Sequence, residues 1–441
     1  MNYRKLGRTN LNVSVIGLGG GALNPNKDPS LTLDEAKEII SYAVKNGVNF
    51  IDTGKEYDEE FISKAIGKEK LHIATKSEAK TKKEMNKDIK DSLEKLGVES
   101  IDIYQMHMVE SLEDFNKRIE NGVLDSLKEA KSKGLIKYIG IFSHKIEVLV
   151  EAIKTGYFDV VLVLYNVGHR KAEELFDYTK KYDVGVIVAA PFGGGILVDQ
   201  KIEGISNPKA KDMVAENALS FILFNENIST IIPGSRTLKE VKENIDVENK
   251  NLNLSTEGVY EKVKDFLGED FCRGCRYCEP CDVCESLPIS EILKLKILYE
   301  KYDYRIRPKI EYLELKVNGD VCTQCGKCLS RCPYNIPISK LLLEAHKTLT
   351  ITDSDLKEWA LGEIIYCNMN ELKQKFVDNY NLLFNNKIKI EKISYEILKI
   401  KKELVEKNNE IKDKIEMIKD RDEGLKNKDD NLRKLEIDLK N

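Results

Sequence analysis

The 441-residue chain carries 70 basic and 74 acidic side chains, a net charge of −4 that singles out no polyanionic partner. No basic stripe interleaved with aromatics occurs, no apolar run approaches the ~20 residues of a membrane span, and MNYRKLGRTN lacks the apolar core of an export signal. A cytoplasmic location with neither nucleic acid nor membrane as partner is therefore expected. Ten cysteines are present; none precedes Cys272, and nine fall between Cys272 and Cys332. Clustering of that kind belongs to metal ligands, whereas a disulfide framework belongs to small secreted domains.

In chain order, eight apolar runs come first: VSVIGLGG, VNFIDTG, LHIATKS, SIDIYQMHM, IKYIGIFS, FDVVLVLYN, VGVIVAAPF and STIIPGS. They are continuous and β-branched, as suits parallel strands buried on both faces. Amphipathic stretches such as LDEAKEIISYAVKNG alternate with them, several closing on Gly. Strand-then-helix repetition over roughly 250 residues predicts a (β/α)8 TIM barrel. A doubly wound sheet is the rival, but IGLGGGAL lacks the GxGxxG spacing that fold uses to hold a dinucleotide.

Catalytic groups of such a barrel sit at the C-terminal ends of its strands. Those positions hold Asp52, Lys76 and His107, with Tyr57 five residues beyond Asp52. Any one of them alone reads as a cap or a solvated charge. Together they form a proton donor: a tyrosine gives its proton to a carbonyl oxygen, a lysine ammonium lowers the tyrosine pKa, an aspartate keeps the lysine charged, and a histidine orients the substrate oxygen.

The opening YRKLGRTNLNVSVIGLGG and the motifs FIDTGKEY, ATKS and YQMH resemble the aldo-keto reductase family through all eight strands, to about residue 250. The resemblance implies hydride transfer between a nicotinamide and a small aldehyde, ketone or alcohol, with Tyr57 as general acid. In IIPGSRTLKEVKEN it implies that Gly234, Ser235 and Arg236 face the adenosine ribose and its phosphate, with Glu243 and Asn244 near the adenine. Arg236 favours NADP(H), whereas Glu240 stands where many members carry a phosphate-binding arginine. Three places depart from the family. Phe142 with Ser143, Leu162 and Ala189 replace the groups that hold the nicotinamide carboxamide and stack on its ring. Ser143 retains a hydroxyl, so the ring is held differently or a flavin takes its place.

Cys322, Cys325, Cys328 and Cys332, followed by Pro333, have the C-x2-C-x2-C-x3-C-P spacing of a bacterial [4Fe-4S] site. Zinc sites pair two C-x2-C knuckles across a longer interval instead. CRGCRYCEPCDVC supplies Cys272, Cys275, Cys278, Cys281 and Cys284. A two-cluster arrangement predicts Cys272, Cys275, Cys278 and Cys332 on one cluster, and Cys322, Cys325, Cys328 and Cys281 on the other, with Cys284 surplus or competing with Cys281; self-contained runs are the alternative. Cys367 stands alone and reads as a small buried hydrophobe. The fusion resembles aldo-keto reductases that carry C-terminal [4Fe-4S] motifs.

From Ile390 every seventh residue to Leu439 is Ile or Leu, but the companion seam position is cationic through its middle, at Lys407, Lys414, Arg421 and Lys428. The segment reads equally as a coiled coil, self-pairing or with a partner, and as a solvated helix. The predicted organisation is a barrel over 1–265, a ferredoxin-like iron–sulfur domain over 266–345, a helical region over 346–385 and a coiled-coil tail over 386–441. The expected function is an iron–sulfur oxidoreductase whose two clusters exchange electrons with a redox partner. A plain NADPH-dependent reductase with structural clusters and an electron carrier docked through its tail are the alternatives.

Overall fold

β-branched side chains fit a pleated surface buried on both sides, and each of the eight apolar runs contributes one strand. The computed structural model describes residues 1–26, 30–109, 111–198, 210, 213–249, 256–279, 284, 287–305, 307–352 and 354–355. Cys281, Cys367, nearly all of the helical region and the whole heptad segment lie outside the described residues.

Strands β1 (Tyr3–Lys5) and β2 (Asn12–Ser14) form an antiparallel hairpin. The eight that follow are β3 (Leu18–Gly19), β4 (Phe50–Asp52), β5 (His72–Ser77), β6 (Ile101–Met106), β7 (Ile136–Phe142), β8 (Val160–Leu164), β9 (Gly185–Ala189) and β10 (Thr230–Ile231). They are parallel and lie side by side in chain order. Gly17 N–H donates to Ile231 O (2.7 Å) and Ile231 N–H to Val15 O (3.0 Å), which closes the sheet into a (β/α)8 barrel.

Around it run α1 (Leu33–Lys45), α2 (Glu59–Ile66), α3 (Lys82–Leu96), α4 (Leu112–Glu120), α5 (Val123–Ser132), α6 (Ile146–Lys154), α7 (Glu173–Tyr182), α8 (Ala215–Leu223) and α9 (Leu238–Asp246). Capping boxes at Thr32/Glu35, Thr81/Glu84 and Thr237/Glu240 fix where α1, α3 and α9 begin. Helix α10 (Thr256–Leu267) leads into the cysteine-rich segment. There a loop carrying Cys272, Cys275 and Cys278 precedes α11 (Ile289–Glu300) and α12 (Arg307–Leu313), and a second, from Cys322 to Cys332, precedes α13 (Ile338–Leu349). Residues 1–351 form a single unit, so the barrel and the cysteine segment share one body. Among the described residues no helix is long and apolar enough to cross a membrane.

The inside of the barrel is its own apolar cluster. Phe50, Ala74, Ile103, Leu162 and Ile187 meet there, and Leu6, Leu11 and Val13 of the hairpin plug it from below. Each large side chain so buried contributes roughly 1.5–3 kcal/mol. Gly7, at φ 53°, lets the hairpin press against β9, since an added Cβ would lie 2.1 Å from Gly185 N. With the N-terminal end sealed, a reaction site has only the C-terminal mouth.

Candidate active site

Strand alternation populates that mouth. On β4 Phe50 points inward, so Asp52 does too; Ala74 on β5 likewise sets Lys76, and Ile103 on β6 sets Gln105 and, beyond the strand end, His107. Tyr57 comes from the turn Lys55–Tyr57 directly after β4. Its ring lies where a side chain on Gly21 would otherwise stand, 3.2 Å from the missing Cβ. The four residues named from the sequence therefore meet at one rim.

Lys76 and Asp52 are each about 2% exposed and form a direct ion pair. The Lys76 ammonium also donates to Thr53 O (2.7 Å) and lies 4.8 Å from the centre of the Tyr57 ring. Burial opposes its charge, but Asp52 and then Tyr57 outweigh burial and hold its pKa above the ordinary lysine value. The other Asp52 oxygen accepts from Gln105 Nε2 (2.7 Å). For Tyr57, burial is the largest influence and raises the pKa above 10, while Lys76 and Arg276 pull it down. The sequence-based expectation that Lys76 makes Tyr57 more acidic is thus met in direction by that contact alone, and burial reverses the net result. His107 packs on Phe142 (5.1 Å between ring centres), with Nδ1 3.5 Å from the Glu78 carboxylate. Arg118, 1% exposed, donates to His107 O and Met108 O, both at 2.7 Å, and to Asp114, which pins the loop bearing His107.

The other half of the mouth, from β7 to β9, presents Phe142, Leu162, Leu164 and Ala189. Ser143 has no spare reach, because its Oγ donates to Val109 O (2.6 Å) and accepts from Lys145 N–H (2.9 Å). This apolar half is covered by the cysteine segment. Tyr334 hydrogen-bonds His169, Tyr302 donates to Ile196 O, and Tyr277 accepts from Ile146 N–H (3.3 Å). Between the two surfaces lies a cavity of about 220 Å³ whose walls include His144, Ala190 and Gly193 on the barrel side and Cys272 and Arg276 on the other.

Cys272, Cys275, Cys278 and Cys332, sixty residues apart at their extremes (332 − 272), lie within electrostatic reach of one another. Burial raises all three thiols of the first loop, Cys272 to about 12. Thiolates there need a bound cation to hold their charge. Backbone N–H groups already aim at the sulfurs, Gly274 at Cys272 and Tyr277 at Cys275. The two loops share a backbone pattern, with positive φ two and four residues after the first cysteine: Gly274 (66°) and Arg276 (58°), then Gln324 (56°) and Gly326 (75°). Such alternation turns successive amides toward one point and makes an anion-binding nest. Cys328 and Cys284 are buried, Cys322 is half-buried and Cys325 is exposed.

At the nucleotide-binding loop inferred from sequence, Ser235 and Asn244 are buried and joined, Asn244 Nδ2 to Ser235 Oγ at 2.9 Å. Gly234, Arg236 and Glu243 face outward beside them. Glu240 does not simply lack an arginine's charge. Its carboxylate accepts from Arg236 N–H (2.6 Å) and Thr237 N–H (3.2 Å), occupying the start of α9.

Sequence reading passed over Gln105, Arg118 and Arg276. Gln105 was accessible, since it alternates with Ile103 and His107. A repeat was accessible too, LPISEILK at Leu287 and IPISKLLL at Ile336.

The sequence profile of the Aldo/keto reductase family matches residues 15–262. Oxidoreductase YqkF of Bacillus subtilis is 26% identical over 292 residues, covering 56% of this chain and 92% of the relative. L-galactose dehydrogenase of Arabidopsis thaliana is 26% identical over 311 residues, covering 60% and 96%. The solved holo form of aldo-keto reductase AKR11C1 from Bacillus halodurans aligns at a TM-score of 0.50 and 24% identity, over 60% of this chain and 96% of that one, a likeness of fold.

A reaction that draws its proton from Tyr57 should show no loss of rate from Tyr57 ionisation between about pH 6 and about pH 9, since burial lifts that pKa above its usual ~10. Replacing Lys76 with Met removes the group that lowers it, so any fall at the alkaline end moves to higher pH. The same substitution leaves Asp52 buried without its partner and should cost roughly 3–5 kcal/mol of stability. A kcat/KM profile against pH, paired with thermal melting, checks both.

Proposed function

The chain belongs to the aldo/keto reductase family and is an oxidoreductase, and on that premise we propose that it reduces a small aldehyde or ketone, or oxidises the alcohol, at a mouth wired to two [4Fe-4S] clusters. The observation that carries the second part is the shared cavity. Cys272 lines it together with the rim of β7 to β9, so a cluster on the first cysteine loop would stand against the apolar half of the mouth.

In the reductive direction the Tyr57 hydroxyl donates its proton to the carbonyl oxygen as negative charge develops there. Lys76 stabilises the phenolate left behind, and Asp52, held by Gln105, keeps Lys76 charged. His107, steadied by Arg118, stands where it can orient the carbonyl oxygen. A nicotinamide, when bound, supplies the hydride. Gly234, Ser235, Arg236, Glu243 and Asn244 suit its adenosine end. At the reacting end Leu162 and Ala189 offer no amide partner and Ser143 is committed to backbone, so the ring is held by other contacts or a flavin replaces it. Cys272, Cys275, Cys278 and Cys332 would hold the cluster nearer the barrel. Cys322, Cys325 and Cys328 would hold the second, with a fourth cysteine from the first run, Cys281 on spacing alone.

Anaerobically purified protein should contain about eight irons per chain, and NADPH should bleach its visible absorbance. Clusters that stay oxidised under NADPH while an aldehyde is still reduced would assign them a structural role. Glu240→Gln should raise the preference for NADPH over NADH by about tenfold, because it removes a carboxylate from the site of a 2′-phosphate. Cofactor KM values for the two nucleotides measure it.

A further inference from the structure

We propose that the seam cavity receives a carboxylate carried by the carbonyl substrate, and that Arg276 of the cysteine loop holds it. The inference deepens the reductase reading and rests on it. Among the described lining residues three cations, Arg273, Arg276 and Lys294, stand against one carboxylate, Glu291, which pairs with Lys294 at 2.6 Å, while Glu279 beside the cavity pairs with Arg276 at 3.7 Å. Arg273 is committed: it donates to Phe271 O (2.7 Å) and Glu269 O (2.9 Å), with its guanidinium 4.4 Å from the ring centres of Phe271 and Tyr334. Arg276 is the cation with room to act. Its side chain is 55% exposed, and its ion pair with Glu279, at 3.7 Å, is longer than a hydrogen bond and leaves the fork open to an incoming carboxylate. It lines the cavity together with His144, and its charge reaches both that ring and Tyr57.

The mouth is polarised as a result. Glu56 and Glu78 cluster with His107 on the β4–β6 side, and the arginines face the β7–β9 side. A neutral carbonyl compound gains nothing from that arrangement. An oxo acid with its carbonyl at Tyr57 and its carboxylate on the Arg276 fork gains a charge-assisted, bidentate contact and a fixed orientation.

The test compares 4-carboxybenzaldehyde with methyl 4-formylbenzoate, and adds calorimetric titration of 4-(hydroxymethyl)benzoate in the presence of NADP. The acid should exceed the ester in kcat/KM by about tenfold or more. Arg276→Gln should reduce that ratio by about tenfold, chiefly through KM, and weaken 4-(hydroxymethyl)benzoate by a similar factor. Equal use of acid and ester by the native protein, or an unchanged ratio in the variant, overturns the proposal. A rise confined to the cofactor's KM would assign Arg276 to a nucleotide phosphate and overturn it as well. Should neither aldehyde be reduced, the reductase reading fails, while the calorimetry still decides the carboxylate site.

Discussion

An ammonium ion sealed from water is the constraint on which the mouth of this barrel is built. Lys76 has almost no access to solvent, and an isolated charge there would give up its proton. Asp52 prevents that, and everything around the pair serves to keep both ionised: Gln105 takes the second carboxylate oxygen, Thr53 offers its carbonyl, and the Tyr57 ring lies against the ammonium. The pair also ties β4 to β5 from inside. Under the proposed chemistry, proton donation and barrel closure at this end would draw on the same contact, and a change that weakens one would weaken the other.

The mouth has two unlike halves because its strands end differently. At the mouth ends of β4 to β6 the inward residues, Asp52, Lys76 and Gln105, are polar and hydrogen-bonded; from β7 to β9 they are Phe142, Leu162, Leu164 and Ala189, which an exposed rim would leave facing water. Phe271 packs against Gly168, where an added Cβ would lie 3.0 Å from its ring, and Tyr277, Tyr302 and Tyr334 reach polar groups on the barrel. The cysteine segment is thus seated on the barrel through aromatic side chains whose hydroxyls find partners, as buried tyrosines require.

Much of this was legible in the sequence, for physical reasons that also mark where legibility ends. Parallel strands must be apolar on both faces, so the eight runs announced the barrel, and the strand period carried Asp52 and Lys76 to the same rim. What period alone cannot give is burial. The acidity of Tyr57 depends on how deeply it is enclosed, and enclosure reversed the expectation drawn from Lys76. Arg118 sits on an amphipathic helix where a charge reads as solvated, yet it turns inward to backbone carbonyls. Arg276 stood among cysteines that drew the reading toward metal ligands. In the cysteine segment, spacing brought Cys332 to the first loop's set.

The placement of Cys272 in the wall of the seam cavity has a consequence for the protein's life in air. An iron–sulfur site exposed to oxygen sheds iron, and its thiols oxidise. Here that damage would fall on a loop that also walls the cavity and presents Arg276 to it. Oxygen would then disable the barrel by deforming its pocket, whether or not an electron ever passed between cluster and substrate. A cluster held on that loop would make the state of the metal a condition for the shape of the seam cavity.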